Sequence, residues 1–225
     1  MIKIENLTKR FGKKTVLNRL NVVFEAGKVY GIVGENGAGK TTLFRCIAGL
    51  ESFEGKIIAD KLPIKNHLGL LLTEPFFFSK ITGKEYIRLL CQARGIKTGA
   101  IDDRNIFDLP LDQYASTYST GMKKKLAITA VLMQKNEFFI LDEPFNGVDI
   151  HSNMIITEII RKLGETWKTT IISSHIFSTL KDTCNEIYVL ENGAFVRRLQ
   201  QEEFGAFELE MKEMLIGNKI GALDL

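Results

Sequence analysis

The chain of 225 residues lacks the features that indicate a membrane span, secretion or a cysteine-based metal site. Its apolar runs are far shorter than the ~18 residues that a membrane-spanning helix needs. Residues 1–5 lack the apolar segment of a secretion signal. The three cysteines, at positions 46, 91 and 184, form no C-x-x-C motif, which indicates free thiols in a reducing compartment. We therefore expect a cytoplasmic protein that acts at a membrane only through a partner.

The chain also has no strong excess of charge of either sign. Its net charge of +3 does not by itself indicate nucleic acid or acidic lipid as a partner, and we expect no nucleic-acid partner. Hydrophobic residues make up 45% and charged residues 25%, as in ordinary soluble globular proteins. The length is sufficient for one domain with a substantial core.

Apolar segments of two different periods predict an α/β fold. Continuous apolar runs typical of buried strands occupy residues 28–33, 138–141 and 169–173. Helical spacing is found over residues 41–48, 82–134 and 151–163. Antiparallel strands are predicted within residues 1–25, as a pair of short edge strands over residues 54–64, and as a hairpin over residues 186–196. The pattern predicts a mostly parallel sheet with a flanking antiparallel β subdomain and an inserted helical subdomain.

Residues 34–42, Gly-Glu-Asn-Gly-Ala-Gly-Lys-Thr-Thr, match the phosphate-loop pattern G-x-x-x-x-G-K-[ST]. They lie between a predicted strand and a predicted helix, where glycines let successive N–H groups face phosphate oxygens. Lys40 would reach the β- and γ-phosphates of a nucleotide, and the Thr41 hydroxyl would bind Mg²⁺. The alternative is an ordinary glycine-rich turn. The predicted nucleotide contacts are Gly34, Asn36, Gly37, Ala38, Gly39, Lys40, Thr41 and Thr42.

Two carboxylates and a histidine follow two of the predicted buried strands. Ligands bind at the carboxyl ends of strands in α/β folds. Asp142 would help to bind Mg²⁺, and Glu143 would act as the general base for an attacking water, a role that contributes typically ~10²–10⁴-fold. His175 could donate a hydrogen bond to the γ-phosphate. The alternatives are a solvated strand end for the carboxylates and an ordinary surface or core residue for the histidine.

Residues 118–126, Tyr-Ser-Thr-Gly-Met-Lys-Lys-Lys-Leu, narrow the interpretation of the phosphate loop. They resemble the signature motif of the ATP-binding cassette (ABC) family, whose usual form is L-S-G-G-Q. Residues 146–149 resemble that family's D-loop, His175 its H-loop, and Phe11 the aromatic residue that stacks on adenine. The resemblance implies that Ser119, Gly121 and Asp149 also contact nucleotide.

The resemblance implies an ATPase that uses ATP and Mg²⁺. Two cassettes, as a homodimer or a pseudo-dimer, would enclose two Mg·ATP between the phosphate loop of one and the signature helix of the other. Separate integral membrane permease subunits would be the partners, with the chain on the inner face of the cell membrane. The motifs favour export, although import stays open. The alternatives are a soluble cassette ATPase of the iron–sulfur assembly type and, less favoured, a P-loop kinase.

The same resemblance implies one domain with a P-loop NTPase core. The expected core and β subdomain cover residues 1–72 and 137–205, the helical subdomain residues 73–136, and a C-terminal tail residues 206–225. Independently, Ser119 is a predicted cap for a helix that starts at Thr120. Lysines at 123–125 would oppose the dipole of that helix, which is reasonable if an anion docks there. The alternative is that these lysines form a solvated face.

Three departures from the family pattern affect the predicted site. Thr120 replaces a glycine and Met122 replaces the glutamine, as in some exporter-like members. The Q-loop glutamine should fall at Thr73, which could act only through a water, while Glu74 would bring a negative charge toward phosphate. Which of the two residues takes the Q-loop role stays open.

Residues 76–78 are three phenylalanines. At least one should face outward toward a permease, because neighbours alternate sides in an extended segment; the alternative is that all three are core.

Overall fold

The computed structural model describes residues 1–220, with side chains as far as residue 213. In this part of the chain we number nine strands and six α-helices. The strands are β1 (Ile2–Phe11), β2 (Lys14–Phe24), β3 (Val29–Val33), β4 (Glu54–Ala59), β5 (Leu68–Leu71), β6 (Phe138–Asp142), β7 (Thr169–Ser174), β8 (Glu186–Glu191) and β9 (Ala194–Gln200). The helices are α1 (Lys40–Ile47), α2 (Gly83–Gln92), α3 (Thr120–Met133), α4 (Ile150–Glu165), α5 (Phe177–Lys181) and α6 (Phe204–Ile220).

The predicted parallel sheet has six strands in the order β5-β6-β7-β3-β8-β9. Strands β5 to β8 in this order are parallel, and β9 pairs antiparallel with β8. Every residue of β3, β6 and β7 is buried. Strands covered on both faces need continuous apolar runs, so the three runs in the sequence correctly predicted the centre of the sheet.

Alternate residues of these strands contribute to two different cores, because neighbouring side chains point to opposite faces of a sheet. Ile140 and Ile171 pack in a core with β1, β2 and α1. Leu141 and Ile172 pack on the other face with residues of α2 to α6. The parallel sheet is therefore the middle layer between an antiparallel sheet with α1 and a layer of helices.

The antiparallel sheet has the order β2-β1-β4. The prediction of two edge strands over residues 54–64 is wrong, because only β4 forms there and it pairs with β1. Pro63 has no N–H group and cannot donate to a strand ladder, which disfavours a second strand beside it. The chain instead turns through a short 3₁₀ segment, Ile64–Asn66, before β5 begins.

The predicted helical stretch over residues 82–134 forms helices only at its two ends. Thr82 caps α2 in a reciprocal arrangement with Glu85, and α3 follows much later in the chain. Between them the chain forms only short 3₁₀ segments. Gly95 and Gly99 have φ of 66° and 58°, a left-handed conformation that interrupts a helix.

The C-terminal helix α6 begins before the expected tail boundary at residue 206. Phe204 and Phe207 are buried against Phe177, with ring centroids 6.0 and 5.2 Å from it. Residues 221–225 of the expected tail lie outside the described residues. In residues 1–220, we find no helix with both the length and the apolar character required to span a bilayer.

The predicted hairpin over residues 186–196 is confirmed as β8–β9, and its turn at Asn192 and Gly193 packs against two other segments. The Gly193 N–H donates to the Ala38 carbonyl at 3.2 Å, and the Gly193 carbonyl accepts from the Asn18 N–H at 2.8 Å. A Cβ atom at Gly193 would overlap the Val16 carbonyl oxygen. The turn therefore supports the phosphate loop by a contact that leaves no room for a side chain.

We expect Gly193→Ala to lower the free energy of unfolding by about 1–3 kcal/mol more than Gly12→Ala does. Both glycines have positive φ, 78° and 57°, so both substitutions carry the cost of a left-handed alanine. Only Gly193→Ala adds an overlap, since nothing lies within 4 Å of a Cβ at Gly12. Urea unfolding measures the two losses, and equal losses would contradict the close packing of this turn.

Candidate active site

Three adjacent strands, β6, β7 and β3, bring the predicted site residues to one edge of the sheet. Parallel pairing aligns their carboxyl ends, with Asp142 opposite Ser173 and Val33 opposite Ser174. The phosphate loop follows β3, the carboxylate pair ends β6, and His175 follows β7. The phosphate loop, the carboxylate pair and His175 therefore lie at the same sheet edge, as the sequence predicted.

The phosphate loop has the geometry that its glycines permit. Gly37 and Gly39 have φ of 87° and 113°, and a Cβ at Gly39 would lie 2.7 Å from Leu17 Cδ2. Gly39 is the N-cap of α1 and has no side chain to cap that helix, whose first N–H groups point into the loop. Positive helix ends of this kind bind anions. Of the other predicted contacts, Asn36 is exposed, Ala38 is buried, and Thr42 is half-buried near the start of α1.

Lys40 is buried, and its ammonium folds back over its own loop. Its Nζ donates to the carbonyls of Gly34, at 2.5 Å, and Glu35, at 3.2 Å. The Glu143 carboxylate is 3.9 Å away. The only positive charge on this loop is therefore placed beside the carboxylate pair, where a bound phosphate would meet it.

The Asp142 carboxylate accepts hydrogen bonds from hydroxyl groups of three separate segments. Its Oδ2 accepts from Thr41 Oγ1 at 2.6 Å and from Thr73 Oγ1 at 2.9 Å. Its Oδ1 accepts from Ser173 Oγ at 2.6 Å. Hydroxyl and carboxylate oxygens suit Mg²⁺, which is usually held by one or two carboxylates together with substrate phosphates. Thr41 and Asp142 thus fit the predicted metal site.

Thr73 contacts Asp142 directly through its hydroxyl, while its action on Mg²⁺ or phosphate through a water stays a prediction. The cause of this contact is strand register: Leu71 of β5 lies opposite Leu141 of β6, which places the residues after β5 beside Asp142. The described hydrogen bonds include none to the Glu74 carboxylate.

Glu143 is buried, and its carboxylate meets His175, with 2.9 Å between Oε2 and Nδ1. The Glu143 backbone is left-handed, with φ of 51°, which is uncommon for a residue with a side chain. Its N–H donates to Ser173 Oγ at 3.0 Å. Ser173 therefore bonds both members of the carboxylate pair. Sequence reasoning missed this residue, although a polar Ser-Ser pair ending an apolar strand was a usable signal.

The predicted cap of α3 is confirmed, because Ser119 Oγ accepts from the Met122 N–H at 3.2 Å. The alternative that the three lysines form a solvated face is wrong, because Lys124 is buried. Lys124 is only 2% exposed, and its Nζ donates to the Thr73 carbonyl at 2.6 Å. Lys125 donates to Asp149 and Ser152. The reason is that α3 packs against β5, which turns this side of the helix toward the sheet.

The segment that resembles the D-loop contacts the start of α3 within the same chain. A Cβ at Gly121 would lie 2.7 Å from the Gly147 carbonyl oxygen. Asp149 caps α4, accepting from the Ser152 N–H at 2.8 Å and from Ser152 Oγ at 2.8 Å. These bonds from Ser152, together with Lys125, hold the pKa of Asp149 well below its usual range. Asp149 is thus a helix cap within its own chain, and its contact with nucleotide stays a prediction.

Phe11 ends β1 and is 49% exposed. The Lys9 ammonium lies 4.5 Å from the centre of its ring and pairs with Glu51 at 3.0 Å. Lys9 itself is buried. The ring is therefore supported by a cation and remains accessible for stacking on a planar group.

Comparisons with known proteins match this arrangement. The family described as ABC transporter matches residues 17–146, which include the phosphate loop, the signature-like segment and the carboxylate pair. The chain belongs to the ABC transporter family. It is the ATP-binding subunit, an ATPase with the P-loop fold, so the resemblance in the sequence is confirmed. The kinase alternative is not supported.

Two curated relatives and one solved structure illustrate the similarity. The bacitracin transport ATP-binding protein BcrA of Enterococcus faecalis is 34% identical over 90% of this chain and 70% of its own length. The lantibiotic transport ATP-binding protein SrtF of Streptococcus pyogenes is 32% identical over 93% and 94%. The fold matches the ATP-binding cassette MJ0796, solved as a dimer in a post-hydrolysis state bound to ADP and Pi, with a TM-score of 0.80 at 20% identity over 89% of this chain and 99% of that one.

We expect Thr73→Val to lower ATPase activity about 10-fold and to raise the Mg²⁺ concentration needed for half-maximal activity. The substitution keeps the shape but removes the hydroxyl that donates to Asp142. Glu74→Gln should retain activity within about threefold, since surface changes without such bonds have small effects. Magnesium titration of the ATPase rate measures both variants. The reverse pattern would assign the Q-loop role to Glu74.

Proposed function

We propose that this chain powers an ABC exporter, through ATP-driven dimerisation against separate membrane subunits. The observation that carries the proposal is the convergence of Lys40, Asp142, Glu143 and His175 at one sheet edge, beside a loop shaped for phosphate. Such an edge can bind Mg·ATP and hold a water against its terminal phosphate.

Each side chain has a role that follows from its position. Lys40 and the N–H groups of the loop bind the phosphates, and Phe11 stacks on the adenine. Thr41 and Asp142 would hold Mg²⁺, which neutralises charge on the phosphates when bound. Glu143 takes a proton from the attacking water, and His175 orients Glu143 through the 2.9 Å contact with its Oε2.

The proposed dimer supplies the part of the nucleotide site that one chain lacks. Ser119 and Gly121 lie at the N-terminus of α3, a helix end that attracts anions. A second cassette arranged head to tail would bring this helix end to the γ-phosphate held by Lys40. The MJ0796 cassette was solved as a dimer with ADP and Pi, which supports this arrangement.

Export and a location on the inner face of the membrane are supported by the relatives. BcrA and SrtF carry names that describe bacitracin and lantibiotic transport. Both names refer to ATP-binding proteins, so we infer that the permease of this system is a separate chain. The substance that is moved would be selected by that permease.

We expect Glu143→Gln to bind Mg·ATP but to hydrolyse it at least about 100-fold more slowly than the wild-type chain, because the proton acceptor is lost. ATP would then accumulate in the closed dimer, which light scattering at saturating Mg·ATP detects. Lys40→Ala is the control: it should lose both hydrolysis and ATP-dependent dimerisation. A Glu143→Gln chain that stays monomeric or hydrolyses normally would contradict the sandwich mechanism.

The three consecutive phenylalanines support a permease contact. Phe76 and Phe78 are 73% and 56% exposed, and their rings contact each other at 5.3 Å. Phe77 packs on Tyr86 instead, at 4.5 Å. The prediction that at least one would face outward is confirmed, and the alternative that all three are core is wrong. The exposed pair follows Thr73 closely, so a partner bound there is near the catalytic edge.

We expect Phe76→Ser and Phe78→Ser to leave the melting temperature and basal ATPase nearly unchanged while reducing co-purification with the permease. An exposed phenylalanine buries ~150–250 Å² when a partner covers it, so losing one removes a large contact. Phe77→Ser is the matched control and should lower the melting temperature. If all three substitutions lower stability and none selectively loses the permease, the docking surface is elsewhere.

A further inference from the structure

The Lys124 ammonium is a buried cation that contacts the carboxylate of neither Asp142 nor Glu143. Its Nζ donates to the Thr73 carbonyl at 2.6 Å and to the Glu143 carbonyl at 3.2 Å. A buried ammonium is costly unless its donors are satisfied, so these two carbonyls are its principal compensation. Burial lowers the pKa of Lys124, while the nearby carboxylates of Asp142 and Glu143 act in the opposite direction.

Lys124 is one of the residues that hydrogen-bond the backbone of Glu143, whose conformation is otherwise unfavourable. Glu143 has φ of 51°, in the left-handed region, where a residue with a side chain needs support from its surroundings. The Glu143 N–H donates to Ser173 on β7, and the Glu143 carbonyl accepts from Lys124 on α3. The conformation that aims the Glu143 carboxylate toward His175 is therefore fixed from two separate elements.

The same ammonium connects this turn to Thr73. Thr73 donates its hydroxyl to Asp142 while its carbonyl accepts from Lys124. Lys124 lies four residues after the first residue of α3, the helix whose N-terminus we assign to the second nucleotide. One side chain thus joins that helix to both Thr73 and Glu143.

We propose that Lys124 is a positioning residue that ties the orientation of α3 to the placement of Glu143 and Thr73. When α3 moves against a nucleotide held by the partner cassette, Lys124 carries the movement to Glu143 in its own active site. Lys124 contacts no nucleotide in this arrangement and takes no proton. The inference rests on the proposed role of Glu143 as the general base.

This role predicts a loss in the rate of hydrolysis without a loss in nucleotide binding. Lys124→Met keeps the length and removes both hydrogen bonds, and we expect kcat to fall at least about 10-fold, because small displacements of a catalytic group are costly. The dissociation constant for Mg·ATP should stay within about threefold. The melting temperature should change little, since an apolar side chain replaces a buried charge.

Two further variants separate positioning from a general effect on stability. Lys124→Gln keeps an N–H donor without the charge but is one bond shorter than lysine. We expect its rate to lie at least about threefold above that of Lys124→Met and still below that of the wild-type chain. Lys162→Met is the control, since Lys162 is an exposed lysine on α4 whose partner is the surface residue Glu165. It should match the wild-type chain in rate, binding and melting temperature.

The measurements are steady-state ATPase rates of the full chain, equilibrium binding of a fluorescent ATP analogue, and thermal unfolding. The inference is overturned if Lys124→Met keeps kcat within about threefold, or if rate, binding and melting temperature fall together as in a structural defect. Equal rates for the Met and Gln variants also contradict it. Should Lys124→Met not fold, the Gln variant alone decides: a wild-type rate with wild-type binding removes the proposal, and a slower rate with wild-type binding supports it.

Failure of the proposed function would look different. In that case Glu143→Gln would hydrolyse ATP as fast as the wild-type chain, whatever the Lys124 variants did. If Glu143→Gln is inactive and Lys124→Met is fully active, only the positioning role is lost.

Discussion

The buried carboxylate of Asp142 is the group on which the catalytic edge of this protein depends. Three hydroxyls donate to it, from Thr41 at the start of α1, Thr73 after β5 and Ser173 on β7. A buried carboxylate without such donors would be strongly destabilising, so the three segments are held where they can supply them. The same oxygens are the ones that a divalent cation would use. Stability and metal binding therefore use the same groups.

The two lysines near this edge are placed so that the carboxylates of Asp142 and Glu143 stay available for metal binding and catalysis. Lys40 and Lys124 both donate to backbone carbonyls, and neither forms a close ion pair with Asp142 or Glu143. A tight ion pair would occupy carboxylate oxygens that the chemistry needs. The described hydrogen bonds give the Glu143 side chain one partner, His175. The cations thus reduce the repulsion between neighbouring carboxylates without blocking them.

Much of the fold and of the site could be predicted because the signals are local. The phosphate loop needs glycines at fixed positions, and a strand buried on both faces needs a continuous apolar run. The Ser119 cap and the Asn192–Gly193 turn also depend on a few consecutive residues. The errors came where a local signal was weak or ambiguous. The second strand expected after β4 did not form beside Pro63, and helical spacing over residues 82–134 did not show where glycines interrupt the helix.

The sequence by itself determined most of the elements and which polar residues end the buried strands. Only the tertiary structure decided which of those residues meet. Thr41 and Thr73 reach Asp142 across 101 and 69 residues of chain, through the pairing order of β5, β6, β7 and β3. That order is set by packing the sheet between two cores, and no short segment contains it. The same holds for Lys124, which stands between two other lysines in the sequence and turns inward only because α3 packs against the sheet.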